Sequence, residues 1–395
     1  MIDFQIIAAF VFLILLSIIL YLKRKNLDTK QIIPYFLYFS MYRTKFGLNL
    51  MDSVSKKYRK FMVYLGYAGI LIGFLGMALI SYGLVNNLYV LFTKPEAAPG
   101  VGLVLPFKAK GIFYVPFFYW IISIFVIAVV HEFAHGLIAR AHNLKVKSSG
   151  FAFLGLIVPV IPAAFVEPDE KALRKRPHKE QLSVFAAGPF SNIVIAFLFM
   201  AIASFVIAPI VNGIMEPNGV KITDYVSGNQ TFPAENSGMR IGEIILEVDN
   251  KPTPYIDNLS TIMKTKKPGE TATVKTDKST YQIKLAKNPE NESLAYLGAY
   301  LEQSTKVKDS LKTAYGEFIA DSLIWVYGLF AILFILNFGI GLFNLVPLGP
   351  LDGGRMLQLA LHKFFDKEKG DKVFYYVGIF FLVIIFVNIV SGFVK

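Results

Sequence analysis

Residues 113–140 read FYVPFFYWIISIFVIAVVHEFAHGLIAR, an apolar run that ends in two histidines and a glutamate. The run is long enough to cross a bilayer as a helix, since roughly 20 apolar residues span the hydrocarbon core. In a helix, residues four apart share a face, so His131 and His135 can reach one metal ion, with Glu132 at the border of that face. Ionisable groups at membrane depth are costly and mark function by default. The stretch therefore predicts both a membrane protein and a metal-dependent chemistry inside it.

The chemistry follows from the residue types. Zinc takes neutral imidazoles and keeps one position open, while a neighbouring carboxylate accepts a proton from water and later passes it to a leaving amine. The chain has no cysteine, so the metal must be held by His, Asp or Glu. Of the other histidines, His142, His178 and His362 sit in or beside polar loops. Asp352, in the stretch from Asn344 to Gly354 (NLVPLGPLDGG), lies at the end of another apolar run and at a similar expected depth, which makes it the better third ligand. A turn or capping role is the alternative for an aspartate in such a Pro/Gly-rich break.

The surroundings agree with a polytopic protein. The 395 residues are 54% hydrophobic and only 17% charged, too apolar for an ordinary soluble domain. Six regions reach spanning length: Phe4 to Leu22, Phe61 to Phe92, Phe113 to Arg140, Leu182 to Val211, Phe318 to Val346, and Val373 to Val394. The first is followed by Lys23, Arg24 and Lys25, the reverse of a signal peptide, and reads as a retained anchor. Gly66, Gly69, Gly73 and Gly76 in the second permit close helix approach.

Net charge is +12, and its placement decides what it means. Ten Lys/Arg lie between Lys23 and Lys60, and Lys171, Arg174, Lys175, Arg176 and Lys179 lie between spans three and four. The loop from Arg355 to Lys372 is basic as well. By the positive-inside rule these loops face the cytoplasm, so the charge reflects topology and lipid headgroups and implies no nucleic-acid partner. Tyr35, Phe36, Tyr38, Phe39, Tyr42, Arg43 and Lys45 mix rings with cations, as interfacial segments do. From Gly150 to Pro162 the chain is apolar but too short and proline-broken to cross, which predicts a re-entrant hairpin lining the active site.

Composition turns polar at 212–306, a soluble insertion with alternating stretches at Glu243–Val248, Ala272–Lys275 and Tyr281–Leu285 and a helix near Asp257–Lys264. Its order, through Pro233 to Ile245 (PAENSGMRIGEII) and Lys267-Pro268-Gly269-Glu270, resembles a PDZ domain. That resemblance implies a groove able to take a peptide ligand by strand addition.

Three motifs together, the helix-borne His131-Glu132-x-x-His135, the following Gly188-Pro189-x-x-Asn192 and the distant Asn344-x-x-Pro347-x-x-x-Leu351-Asp352-Gly353, resemble the site-2 protease family. The resemblance implies one zinc bound by His131, His135 and Asp352, with Glu132 as acid/base. It implies that Asn344 orients substrate or polarises its carbonyl, and that Asn192 binds substrate backbone. The implied architecture is a polytopic α-helical membrane protein of about six helices with a re-entrant β-hairpin and an inserted α+β PDZ-like domain. Its expected layout is an N-terminal membrane region at 1–112, a protease core in two parts at 113–211 and 307–364, the PDZ-like insertion at 212–306 outside the cytoplasm, and a last helix at 365–395. The expected activity is zinc-dependent hydrolysis of transmembrane protein substrates within the lipid bilayer of the cell membrane, with the active site toward the cytoplasm. A catalytically idle PDZ-containing adaptor or an ion-coupled transporter is the competing reading. Intact Glu132 argues against the first, and the lack of an inverted hydropathy repeat against the second.

Overall fold

The computed structural model describes residues 4–33, 37–94, 97–156, 158–226, 232–289, 291–310 and 317–394. The chain divides into two compact units, one made of Met1–Ala203 with Gly328–Lys395 and the other of Ser204–Tyr327.

Among the described residues, six helices are long and apolar enough to cross a membrane. The first, α1, runs over Phe4–Leu22, coinciding with the expected span. After it come two strands, β1 (Leu27–Ile33) and β2 (Leu37–Thr44), then a short amphipathic helix α2 (Leu48–Lys57) and the long α3 (Arg59–Thr93). The histidine-bearing α4 covers Phe117–Ala141. Strands β3 (Val146–Leu156) and β4 (Val158–Pro168) follow it, and a single-turn α5 (Glu170–Leu173) leads into α6 (His178–Ile202). A π-helical turn at Ala203–Ile207 and α7 (Ala208–Ile214) prolong α6.

Glycine sets how closely α3 packs. Gly66, Gly69, Gly73 and Gly76 are all buried on one stripe. A Cβ at Gly73 would lie 2.7 Å from Met356 Cε, and one at Gly76 would lie 2.5 Å from Leu345 Cδ1. Small residues let backbones approach where lipid offers no hydrophobic drive between helices.

Strands β3 and β4 pair as a β-hairpin, antiparallel from Val146↔Pro168 to Leu156↔Val158. It extends past both ends of the stretch from Gly150 to Pro162; Ile157 lies outside the described residues. The segment read as interfacial builds sheet. Residues Leu37–Thr44 pair with β3 from Leu37↔Leu156 to Thr44↔Ser149, and β1 pairs with β2. The result is a four-stranded antiparallel sheet in the order β1-β2-β3-β4. Alternation in Leu37–Thr44 favours a strand, and Arg43 bridges Asp28 at 2.7 Å and Glu167 at 3.4 Å, tying β2 to β1 and to β4. Tyr35 and Phe36 of that segment lie outside the described residues.

The Ser204–Tyr327 unit has its own core, with Val220, Ile222, Ile245, Val248, Leu259, Val274 and Ile283 buried together. Its strands β5 (Met215–Tyr225), β6 (Ile244–Val248), β7 (Thr271–Thr276), β8 (Thr280–Lys284) and β9 (Ala299–Val307) form a sheet in the order β8-β7-β6-β5-β9. Helices α8 (Pro233–Asn236) and α9 (Ile256–Thr265) complete it. The longest pairing, β5 with β9, was not anticipated, because Pro217 and Gly219 interrupt the period in β5.

Helix α10 (Glu317–Phe343), part of the first unit from Gly328 on, ends in a tight turn that leads into α11 (Asp352–Phe364), and α12 (Lys367–Val394) follows. A Cβ at Gly353 or Gly354 would run into the carbonyls of Leu345 and Leu348, so this turn needs both glycines to fold back so tightly.

Candidate metal centre

Three ligand atoms converge. His131 Nε2 and His135 Nε2 lie 3.0 and 3.3 Å from Asp352 Oδ2 and 3.1 Å from each other. Among the described residues this is the one group of three or more metal-ligating side chains. Asp352 stands at the first position of α11, brought there by the turn, whose Gly353 N–H donates to the Asn344 carbonyl at 2.8 Å.

Hydrogen bonds identify what the centre is built to hold. His135 Nδ1 donates to the Val184 carbonyl at 2.7 Å, so its neutral ring presents a bare lone pair at Nε2. That lone pair faces a carboxylate oxygen and a second imidazole, an arrangement of acceptors that calls for a cation between them. Tetrahedral bonds of zinc length would set such donors about 3.3 Å apart, close to the spacing found. The residues thus fit zinc.

Helix α6 shapes the back of the centre. A Cβ at Gly188 would overlap His135 Nε2 and lie 2.6 Å from His131 Cε1 and Nε2, so only glycine leaves room for both rings. Next to it Pro189, inside the helix, cannot donate to the Phe185 carbonyl, which weakens the helical ladder beside the site. One turn on, the Asn192 amide stands 3.2 Å from His131 Nδ1 and is fully buried.

Glu132 is held from the sheet. Its Oε2 accepts from the Val166 N–H of β4 at 2.9 Å. Together with His131, His135, Asp352 and Asn344 it lines a cavity of about 630 Å³ whose rim carries Lys147, Glu167, Glu170, Lys171 and Arg355. Asn192 is not part of that lining; it backs His131 instead. The other histidines are placed elsewhere: His142 Nε2 donates to Ser183 Oγ at 2.8 Å, and His362 Nε2 to Asp371 at 2.8 Å. What spacing alone missed are the Val166 N–H and the Val184 carbonyl, backbone groups that carry no signal in a side-chain motif.

A half-buried HExxH on a membrane-length helix, met by an aspartate from a distant turn, is a candidate metal centre of the kind a membrane metallopeptidase uses. Residues 119–385 match the model of peptidase family M50, and the chain belongs to that family, the site-2 proteases. Uncharacterized protein MJ0971 of Methanocaldococcus jannaschii is 27% identical over 348 residues, 86% of this chain and 81% of that protein. Zinc metalloprotease RasP of Shouchella clausii is 24% identical over 253 residues, 51% of this chain and 57% of RasP. Among solved structures, the PDZ domain of an SdrC-like protein from Listeria monocytogenes overlaps 21% of this chain and 87% of its own, at 21% identity and a TM-score of 0.18.

Proposed function

We propose that this chain is a zinc-dependent endopeptidase that hydrolyses peptide bonds in transmembrane segments of other proteins. The observation that carries this is the convergence of His131, His135 and Asp352 beside Glu132, on a helix of spanning length. Bound there, zinc would supply Lewis acidity to a water and to the scissile carbonyl. Glu132 takes the proton of the attacking water and returns it to the leaving amine, with the Val166 N–H fixing Oε2 so that Oε1 does the exchange. Asn344, in the cavity wall, orients the substrate carbonyl.

The substrate must be unwound, because a helix hides its amides in its own hydrogen bonds. Strand β4 has a partner on one edge only among the described residues, and its Val166 already meets Glu132. In this reading β3 and β4 enter the membrane beside the site, and the open edge receives the substrate as an added strand. The basic loops put the centre toward the cytoplasm and the PDZ-like insertion outside, where its groove takes a peptide ligand.

The decisive comparison is purified wild type beside Glu132→Gln on transmembrane substrates. The variant should keep one zinc per chain while hydrolysis falls by about 10²- to 10⁴-fold, the usual share of a general acid/base group. Equal turnover in both removes Glu132 from the chemistry, and full zinc retention in both His131→Ala and Asp352→Ala removes the ligand set. For sidedness, a cysteine at exposed Lys278 should react with an impermeant reagent from outside; labelling only after permeabilisation inverts the topology.

A further inference from the structure

Each ligand histidine has a second ring nitrogen, and helix α6 meets both. His135 Nδ1 donates to the Val184 carbonyl, which locks its tautomer. Among the described residues no carbonyl does this for His131; its Nδ1 faces the amide of Asn192 at 3.2 Å. Asn192 is fully buried, and its Oδ1 has no partner among the described residues.

The tautomer of His131 decides which amide atom faces it. If His131 Nε2 is a ligand, the ring hydrogen of the neutral imidazole must sit on Nδ1 and needs an acceptor. Turning the Asn192 amide by half a turn exchanges its oxygen and nitrogen and sets Oδ1 opposite that hydrogen. We propose that Asn192 is the positioning residue for His131: its side-chain oxygen accepts the Nδ1 hydrogen and holds the ring with Nε2 aimed at His135 and Asp352. This rests on the metal-site reading above and gives the asparagine of the Gly188-Pro189-x-x-Asn192 motif a task other than contact with substrate. Gly188 makes room for the rings and Asn192, one turn later on the same helix, orients one of them.

Partners of this kind change metal affinity by about 10- to 100-fold when lost. Zinc affinity of the full chain in detergent, measured by competition with a chromophoric chelator, separates the possibilities when each variant is also melted to check its fold. Asn192→Leu, nearly isosteric but without an acceptor, should bind zinc about 10- to 100-fold more weakly. Asn192→Asp keeps the acceptor and should bind as tightly as wild type or tighter. Asp352→Ala should lose zinc outright. If Asn192→Leu matches wild type while Asp352→Ala is empty, the metal site stands and this role for Asn192 is wrong. A tenfold or greater loss in Asn192→Asp overturns it too, and decides alone should Asn192→Leu fail to fold. Wild type that binds no zinc removes the metal site and this proposal with it.

Discussion

The two units solve the packing problem in opposite ways. In the membrane-helix unit, α3 turns glycine inward and large apolar side chains outward: Gly69, Gly73 and Gly76 are buried, whereas Leu71 is 63% and Tyr64 71% exposed. In the Ser204–Tyr327 unit, Ile222, Ile245 and Val274 are fully buried, and the sheet alternates them with exposed polar residues such as Lys221, Thr223 and Lys275. The difference is one of solvent. A lipid-facing side chain loses nothing by staying outside, so the helices gain by close backbone approach, while the inserted unit must withdraw apolar area from water. The membrane unit should therefore fail when carbon is added, and the inserted unit when carbon is removed.

The largest effect belongs to Gly188→Ala. Its new methyl meets both ligand imidazoles, backed by the Val184 carbonyl and Asn192, and neither ring can retreat without giving up its hydrogen bond. Zinc content should fall to background and hydrolysis with it, although helix content is retained. Stoichiometric zinc in this variant would show that the site is looser than the geometry states.

Next in size is Ile245→Ala, which removes a fully buried side chain from the inserted core and should cost that unit about 2–5 kcal/mol. Zinc affinity should not change, since no ligand belongs to that unit. Leu71→Ala, a similar deletion on the outward face of α3, should stay within about 0.5 kcal/mol. Equal losses from the two deletions would erase the contrast between the units. Limited proteolysis of the insertion and melting of the whole chain provide the two readings.

How much of this was legible depended on range. Spacing of four between His131 and His135 is a local geometric fact, and Asp352 followed from depth, so the convergence of these three side chains was open to reading from residue order. Span positions were legible for the same reason, because apolar length is local. The supports were not. Val166 donates to Glu132 from 34 positions away, and Asn192 reaches His131 across 61. Such contacts follow from how a hairpin and a helix dock. The β1–β2 strands were missed because rings and cations in Tyr38 to Lys45 were weighed above their alternation, and their partner, β3, is far along the chain.

The smallest expected effect tests whether the membrane unit has a water-sensitive edge despite its lipid-adapted interior. His142 caps α4 just outside the span, and its Nε2 donates to Ser183, whose own hydroxyl donates to the Glu180 carbonyl. Around it stand Glu180 with Nδ1 at 3.9 Å, Arg176, Arg59 and the Tyr67 ring. Burial pushes the His142 imidazole below its ordinary value, Glu180 pulls it back in part, and Arg176 and Arg59 push it down again. The folded state thus prefers the neutral ring more than the unfolded chain does. Its contribution is complete above the unfolded pKa of about 6.5 and is lost as pH falls through that value toward the lower folded one. Zinc-saturated wild type should melt at progressively lower temperature between pH 7.5 and 5.5. His142→Gln retains a donor for Ser183 but cannot charge, so its decline over the same range should be shallower. Parallel declines would place the acid sensitivity elsewhere and leave His142 as a neutral packing group at the end of α4.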